Sequence, residues 1–204
     1  MHTLPPLGKQ AERLLELGVH SLAGLTEDQV HSAVSDAAED SLLVLRDAQP
    51  SDLAPLLEFS GKAGFVVVDM PDVDLFTPIE TVAIPERPGY LVQGPTRGDE
   101  MENWSPDEAL PVITAAGRTP LTLLEGIHWL LQVPEVLERG HCFMTIGSRL
   151  RKPTGVLDTR TPAVWISNGT GRDGKDNRNA PKVGWCWAGN RHTWLGFASA
   201  AGRA

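Results

Sequence analysis

The sequence predicts an α+β protein: N-terminal helices, a central mixed sheet with two well-capped helices, and Trp-rich antiparallel C-terminal strands. Three observations carry that expectation. Helical periodicity with cap residues occurs near the N-terminus and again after residue 105, while short β-branched and aromatic runs fill much of the rest. The 204 residues include 20 glycines and 16 prolines, above average usage of roughly 7% and 5%, so many turns must separate short elements. Hydrophobic residues make up 41% and charged residues 22%. These ordinary globular proportions exclude a coiled coil, a collagen-like chain and wholesale disorder.

Leu7, Ala11, Leu14, Leu15 and Leu17 follow the helical period, and Gly18 supplies a stop, so residues 7–18 read as an amphipathic helix. Thr26-x-x-Gln29 is a capping box that opens a second helix, with Val30, Ala33, Val34 and Ala37 as its apolar stripe. The intervening Leu-Leu-x-x-Gly-Val-x-x-Leu-x-x-Leu-Thr pattern resembles helix-hairpin-helix units that offer turn amides to phosphate. Its neighbours Glu12, Glu16, Glu27 and Asp28 are acidic, which favours a packing element over nucleic-acid contact.

Residues 41–45, 63–68, 79–84 and 90–92 read as strands, with Pro78, Pro85 and Pro88 at positions that suit strand ends or edges. Ser105-Pro106-Asp107-Glu108 combines an N-cap, a proline at the first helical position and a capping-box Glu, and Gly117 closes that helix. Thr122-x-x-Glu125 caps the next, whose apolar residues are Leu123, Leu124, Ile127, Leu130 and Leu131; Thr119-Pro120 is an alternative start. Pro134 opens a short turn through Leu137. From His141 on, residues 141–146, 163–167, 183–188 and 193–198 read as short strands. There is no internal repeat. One boundary is suggested near residue 60, separating a helical segment 1–60, which can belong to the same domain, from an α+β domain 61–204.

The net charge of −8 conceals an asymmetry: residues 1–138 carry 7 basic and 23 acidic side chains, residues 139–204 carry 11 and 3. Either the halves pack together and their fields cancel, or a basic face receives an anionic ligand. Duplex nucleic acid is disfavoured as a partner by the overall sign. No apolar run reaches the roughly 18 residues of a membrane span. Met1-His2-Thr3-Leu4-Pro5-Pro6 has neither a basic nor an apolar signal region. A cytoplasmic location is expected, with Cys142 and Cys186 reduced.

Tryptophan marks the C-terminal part. Trp165, Trp185, Trp187 and Trp194 crowd into 30 of the residues. On a strand, Trp185 and Trp187 share one face and Cys186 the other. The rings build either a core or the wall of a pocket. Gly189-Asn190-Arg191-His192 lies between two Trp-bearing strands and reads as a hairpin turn, with Gly and Asn tolerant of positive φ. Arg191 is a fork for carboxylate or phosphate, and His192 can donate, accept or titrate.

His141, Cys142, Cys186 and His192 would form a zinc set in donor type, although no Cys-x-x-Cys knuckle is present. They would equally form a Cys nucleophile with a His base, oriented by Asn190 or Asp158. Gly169-Thr170-Gly171-Arg172-Asp173-Gly174-Lys175 fits a phosphate-loop spacing, yet Asp176 replaces the magnesium-binding hydroxyl and no long helix can follow. A mobile polar hairpin loop is the better expectation. Asp69, Asp72, Asp74, Asp99, Glu100 and Glu102 match no calcium-loop spacing and read as solvated loops.

Two stretches carry a resemblance: Ser-Pro-Asp-Glu-Ala-Leu-Pro-Val-Ile-Thr-Ala-Ala-Gly-Arg-Thr-Pro-Leu-Thr-Leu-Leu-Glu-Gly-Ile from Ser105 to Ile127, and Gly-Trp-Cys-Trp-Ala-Gly-Asn-Arg-His-Thr-Trp-Leu-Gly-Phe-Ala-Ser from Gly184 to Ser199. From about residue 60 on, the chain resembles an uncharacterised family of proteins of similar length, found mainly in actinobacteria. The resemblance implies a bacterial protein and brings no catalytic residue, cofactor or substrate. The loop 169–180 is longer here than in the family pattern.

Together these features predict a binding protein that holds a small anionic or aromatic ligand at a Trp-rich C-terminal pocket. Arg191, His192 and Asn190 would be its polar anchors, and Trp185, Trp187 and Trp194 its walls. The alternatives are a hydrolase or transferase that uses Cys186 or Cys142 with His192 or His141, with or without zinc, and an interaction module whose acidic helices recruit a basic protein partner.

Overall fold

The computed structural model describes residues 3–34 and 40–204. Three helices open the chain: α1 Leu7–Glu16, α2 Val19–Leu22 and α3 Glu27–Ser32. Strand β1 (Ser41–Leu45) and helix α4 (Pro50–Leu53) follow. Short strands come next: β2 Glu58–Phe59, β3 Lys62–Ala63, β4 Phe65–Val66, β5 Phe76–Pro78 and the longer β6 Gly89–Gln93. Helices α5 (Pro106–Ala115) and α6 (Leu123–Gln132) bracket β7 (Thr119–Pro120). The remaining strands are β8 Cys142–Met144, β9 Ser148–Leu150, β10 Arg160–Ile166, β11 Pro181–Trp187, β12 Leu195–Phe197, β13 Ser199–Ala200 and β14 Gly202–Arg203. This is the α+β class that the sequence predicts.

The local signals work as their chemistry requires. Thr26, Ser105 and Thr122 each close a full capping box with Gln29, Glu108 and Glu125. Gly18 (φ 72°) and Gly117 (φ 69°) are left-handed where α1 and α5 end. Ala37 of the predicted α3 stripe lies outside the described residues. Residues 119–120 form a strand rather than an early start to α6, and their partner is β13.

Long-range pairing redraws the predicted strands. Residues 63–68 are split at Gly64, whose amide donates to the Leu57 carbonyl at 2.7 Å. A side chain there would sit 2.3 Å from the Ala54 oxygen. Lys62–Ala63 therefore pairs with β2, and Phe65–Val66 joins β11. Residues 79–84 turn instead of extending, with the Val82 amide donating to Ile79 at 2.9 Å. The strand forms earlier, over residues 76–78, because its partner is β9.

The five-stranded sheet has the order β12-β8-β10-β11-β4. It is antiparallel around β10 and parallel at both edges, where β12 meets β8 and β4 meets β11. A three-stranded antiparallel sheet, β1-β6-β14, stands apart from it. Alternation along the large sheet sorts its side chains into two cores. Phe143, Val164, Ile166 and Val183 enter the larger core with Leu14, Val19, Leu42, Leu43 and Ile127. Cys142, Met144, Ala163, Leu195 and Phe197 enter a smaller one with Met101, Ala109 and Ile113.

The free edge of β1 is closed by side chains. Gln10 accepts from the Leu43 amide at 2.9 Å and donates to the Ser41 carbonyl at 2.8 Å. His128 accepts from the Leu45 amide at 3.2 Å through Nε2, while its Nδ1 lies 2.9 Å from the Leu124 carbonyl. The pair of contacts fixes a neutral ring protonated at Nδ1, and burial lowers its pKa to about 4. An edge that could recruit another chain is thereby covered.

The charge asymmetry also resolves. Arg160 binds Asp72 with two bonds of 3.0 and 2.6 Å, Arg151 binds Glu80 at 2.7 Å, and Arg203 binds Glu125 at 2.7 Å. Basic residues of the C-terminal part thus neutralise acids of the preceding part. Asp72, from the predicted solvated cluster, is held below its ordinary pKa by the Arg160 hydrogen bond.

Candidate functional site

β11 and β12 are separated in the sheet by β10 and β8. The Gly189–His192 segment is therefore a crossover, not the predicted hairpin. Its turn closes with the Asn190 amide donating to Trp187 at 3.0 Å, and the positive-φ residues of the chain lie elsewhere. Two backbone bonds strap the crossover to the residues before and at the start of α5. The Asp107 amide donates to Ala188 at 3.1 Å, and the Asn103 amide to His192 at 3.0 Å.

That strapping assembles one surface. Glu102, Asn103, Trp104, Glu108 and Arg191 line a groove of about 420 Å³. Trp104, Trp187 and Trp194 are 38%, 45% and 50% exposed, unusual values for tryptophan. His192 stacks on Trp194 with centroids 4.7 Å apart. Trp185 and Trp187 meet edge to face at 4.5 Å on one side of β11, as alternation predicts. Trp185 packs against the larger core, and of the residues predicted for the site only Arg191 lines the groove, with Trp187, Asn190, His192 and Trp194 outside its lining. Asn190 is exposed beside it.

Arg191 does not wait for an anion. Its guanidinium binds Glu108. Glu108 uses its other oxygen for the capping box, accepting from the Ser105 amide at 2.9 Å. The Ser105 amide first, and Arg191 second, hold this carboxyl below its usual pKa. Glu102 adds a second carboxylate, 3.5 Å from His141. The groove is thus aromatic and, on balance, acidic.

The cysteines occupy another layer. Cys142 and Cys186 point to the same side of the sheet, toward the smaller core, with β10 between their strands. Neither forms a disulfide. Burial pushes the Cys142 thiol pKa well up, the opposite of what an attacking thiolate needs. His192 is occupied in its stack on Trp194, and His141 faces Glu102. Among the described residues, no three His, Cys, Asp or Glu side chains gather as a metal site.

The loop 169–180 is anchored at its centre. Asp173 accepts from Lys182 at 2.6 Å and from Ser167 at 2.8 Å, and Lys182 lies over the Trp165 ring. Gly174-Lys175 opens a single helical turn, Lys175–Asn177, instead of a phosphate-binding helix.

Sequence reasoning missed Trp104, Glu102 and Glu108 as surface-site residues. Trp104 precedes a capping box, and Glu108 had already been assigned to that box. Their meeting with residues 188–192 is a property of the crossover. A tryptophan immediately before a well-formed cap was the available signal.

Fold and site together define an α+β protein with an aromatic surface groove and no assembled metal centre among its described residues. Residues 13–204 match the family of unknown function DUF5701, and the chain belongs to that family. No curated protein and no solved structure matches it. No helix among the described residues is long and apolar enough to cross a membrane.

Proposed function

We propose that the protein is a binding protein and that its ligand docks in the groove between residues 102–108 and the 187–194 crossover. The single observation that carries this reading is the exposed Trp104 in a groove that it lines with Glu102, Asn103, Glu108 and Arg191, while Trp187 and Trp194 are exposed on the two sides of Arg191 in the chain. Exposed indoles on a rigid frame offer large contact area with little side-chain entropy to lose. Of the two ligand classes expected from sequence, the aromatic one is favoured. Arg191 is neutralised by Glu108, and Glu102 would repel a bare anion. A flat aromatic ligand would stack on Trp104 or Trp194, with Asn103 and Arg191 as hydrogen-bond donors.

The same carboxylates favour one second reading, a basic protein segment whose Arg or Lys side chains sit over the indoles. The six indole N–H signals of a ¹⁵N-labelled sample test both. Indole-class compounds and an arginine-rich peptide are titrated separately. Shifts at Trp104 and Trp194, lost in Trp104→Ala, support the groove. Peptide binding that weakens steeply with salt selects the second reading. If binding persists unchanged in both Trp104→Ala and Arg191→Ala, the groove is the wrong site.

A further inference from the structure

A second pocket, of about 290 Å³, lies beside the segment that precedes residue 102, and Arg97, Asp99, Glu100, Trp129 and Glu138 are among its walls. Two of these are buried residues with an unanswered donor. The Arg97 side chain is only 6% exposed. Its Nε donates to Asp99 at 3.3 Å and its Nη1 to the Val136 carbonyl at 2.6 Å. Its Nη2 has no acceptor, and neither has Nε1 of the buried Trp129. Buried donors nearly always find acceptors, so two in the walls of one cavity call for an explanation.

The backbone around Arg97 is fixed before any ligand arrives. Thr96 exchanges two bonds with Ser199, at 2.8 and 3.0 Å. Gly98 is left-handed (φ 71°), and a side chain there would lie 2.2 Å from the Phe197 oxygen. A side chain on Gly196 would likewise meet the Arg97 carbonyl at 2.6 Å. The guanidinium is thus held on a segment pressed against β12, which is the preorganisation that a binding site needs.

We infer that this pocket binds a free α-amino acid. The orphan N–H groups of Arg97 and Trp129 would take its carboxylate, and the rim acids its ammonium. The rim sets the class of ligand. Arg97 faces Asp99 and Glu138 at 3.2 and 3.4 Å, with Glu100 beside them. Three carboxylates against one guanidinium disfavour a simple anion and favour a ligand that also carries positive charge. An α-amino acid places both charges within one small body, and the cavity lies near the low end of ligand-pocket volumes. This site is independent of the Trp104 groove, although residues 95–104 run past both.

The test uses the full chain and each proteinogenic α-amino acid in turn, read by the Trp129 indole signal and by titration calorimetry. One amino acid should move the Trp129 signal while leaving those of Trp104 and Trp194 in place. Its deaminated acid and its decarboxylated amine should each bind at least about tenfold more weakly. Trp129→Phe removes the N–H and shrinks a buried ring, so it should lower the melting temperature of the free protein and, measured well below that temperature, weaken binding about tenfold or more. Arg97→Lys keeps the charge, loses the fork and should weaken binding likewise. The inference is overturned if no amino acid moves the Trp129 signal, which leaves water as the partner of both donors. It is equally overturned if the deaminated acid binds as tightly as its amino acid, or if Trp129→Phe binds like the parent.

Discussion

One face of the five-stranded sheet packs beneath α6 and the N-terminal helices, whereas the other is covered by α5 and by loops. Behind the first face, one buried polar network is closed around Glu125. Glu125 accepts from Arg203, from Tyr90 at 3.0 Å and from the Thr122 amide at 2.7 Å, all in the interior. Over the second face, the segments joined to α5 expose Trp104 and pair their charges at the surface. The difference teaches where function can reside. A paired network such as the one around Glu125 has no group left for a ligand, so a ligand must find loops on the rigid sheet or the few donors left unpaired, such as that of Trp129.

The largest expected effect breaks the closed side. Glu125→Ala leaves the Arg203 guanidinium, 4% exposed, without its partner. Removing one member of a buried pair costs about 3–5 kcal/mol. Chemical denaturation should therefore show a large fall in midpoint. A fall below about 1 kcal/mol, the scale of a surface pair, would mean that the network is not closed in solution.

Acid should act on the same side. His128 is neutral in the fold with a pKa near 4, against an ordinary 6.5. The unfolded chain then binds the extra proton between those values, so stability falls as pH drops below about 6.5 and levels off below about 4. A shift of this size corresponds to about 3 kcal/mol. The window lies above that of Asp72, whose folded pKa is already below its ordinary 3.8. Urea midpoints measured from neutral pH to pH 4 should decline in the parent and decline less in His128→Gln. Parallel declines would remove His128 as the cause.

The thiols sharpen the comparison on the second face. Cys142 lies in the smaller core with a thiol pKa raised by burial, and Cys186 is half-buried. Iodoacetamide at neutral pH should leave Cys142 unmodified in the folded protein, by mass mapping. Rapid alkylation of Cys142 would show that the cover of this face opens, and would revive the nucleophile reading.

How much of this was legible depends on the range of the interaction. The capping boxes at Thr26, Ser105 and Thr122 are three-residue chemistry and could be read directly. So could the alternation of Trp185 and Trp187. The crossover at 188–194 could not, because Gly189-Asn190 suits a hairpin equally well and only the insertion of β10 and β8 decides against it. Arg97 was equally hidden. Nothing local shows that a lone arginine after Pro95 is buried against Val136, far along the chain.

The smallest effect on stability is expected at Arg191. Its pair with Glu108 joins side chains that are 58% and 40% exposed, where solvent screens the attraction and the pair adds little to stability. Two backbone bonds from Asn103 and Asp107 hold the crossover independently. Arg191→Ala should therefore unfold almost where the parent does, yet free Glu108 and make the groove more acidic. An aromatic ligand that uses Arg191 as a donor should then bind more weakly, and a basic segment more tightly. That opposition separates the two readings of the groove in a protein whose stability is unchanged. A midpoint that falls as far as in Glu125→Ala would instead show that the surface pair holds the second face together, and the contrast between the two faces would fail.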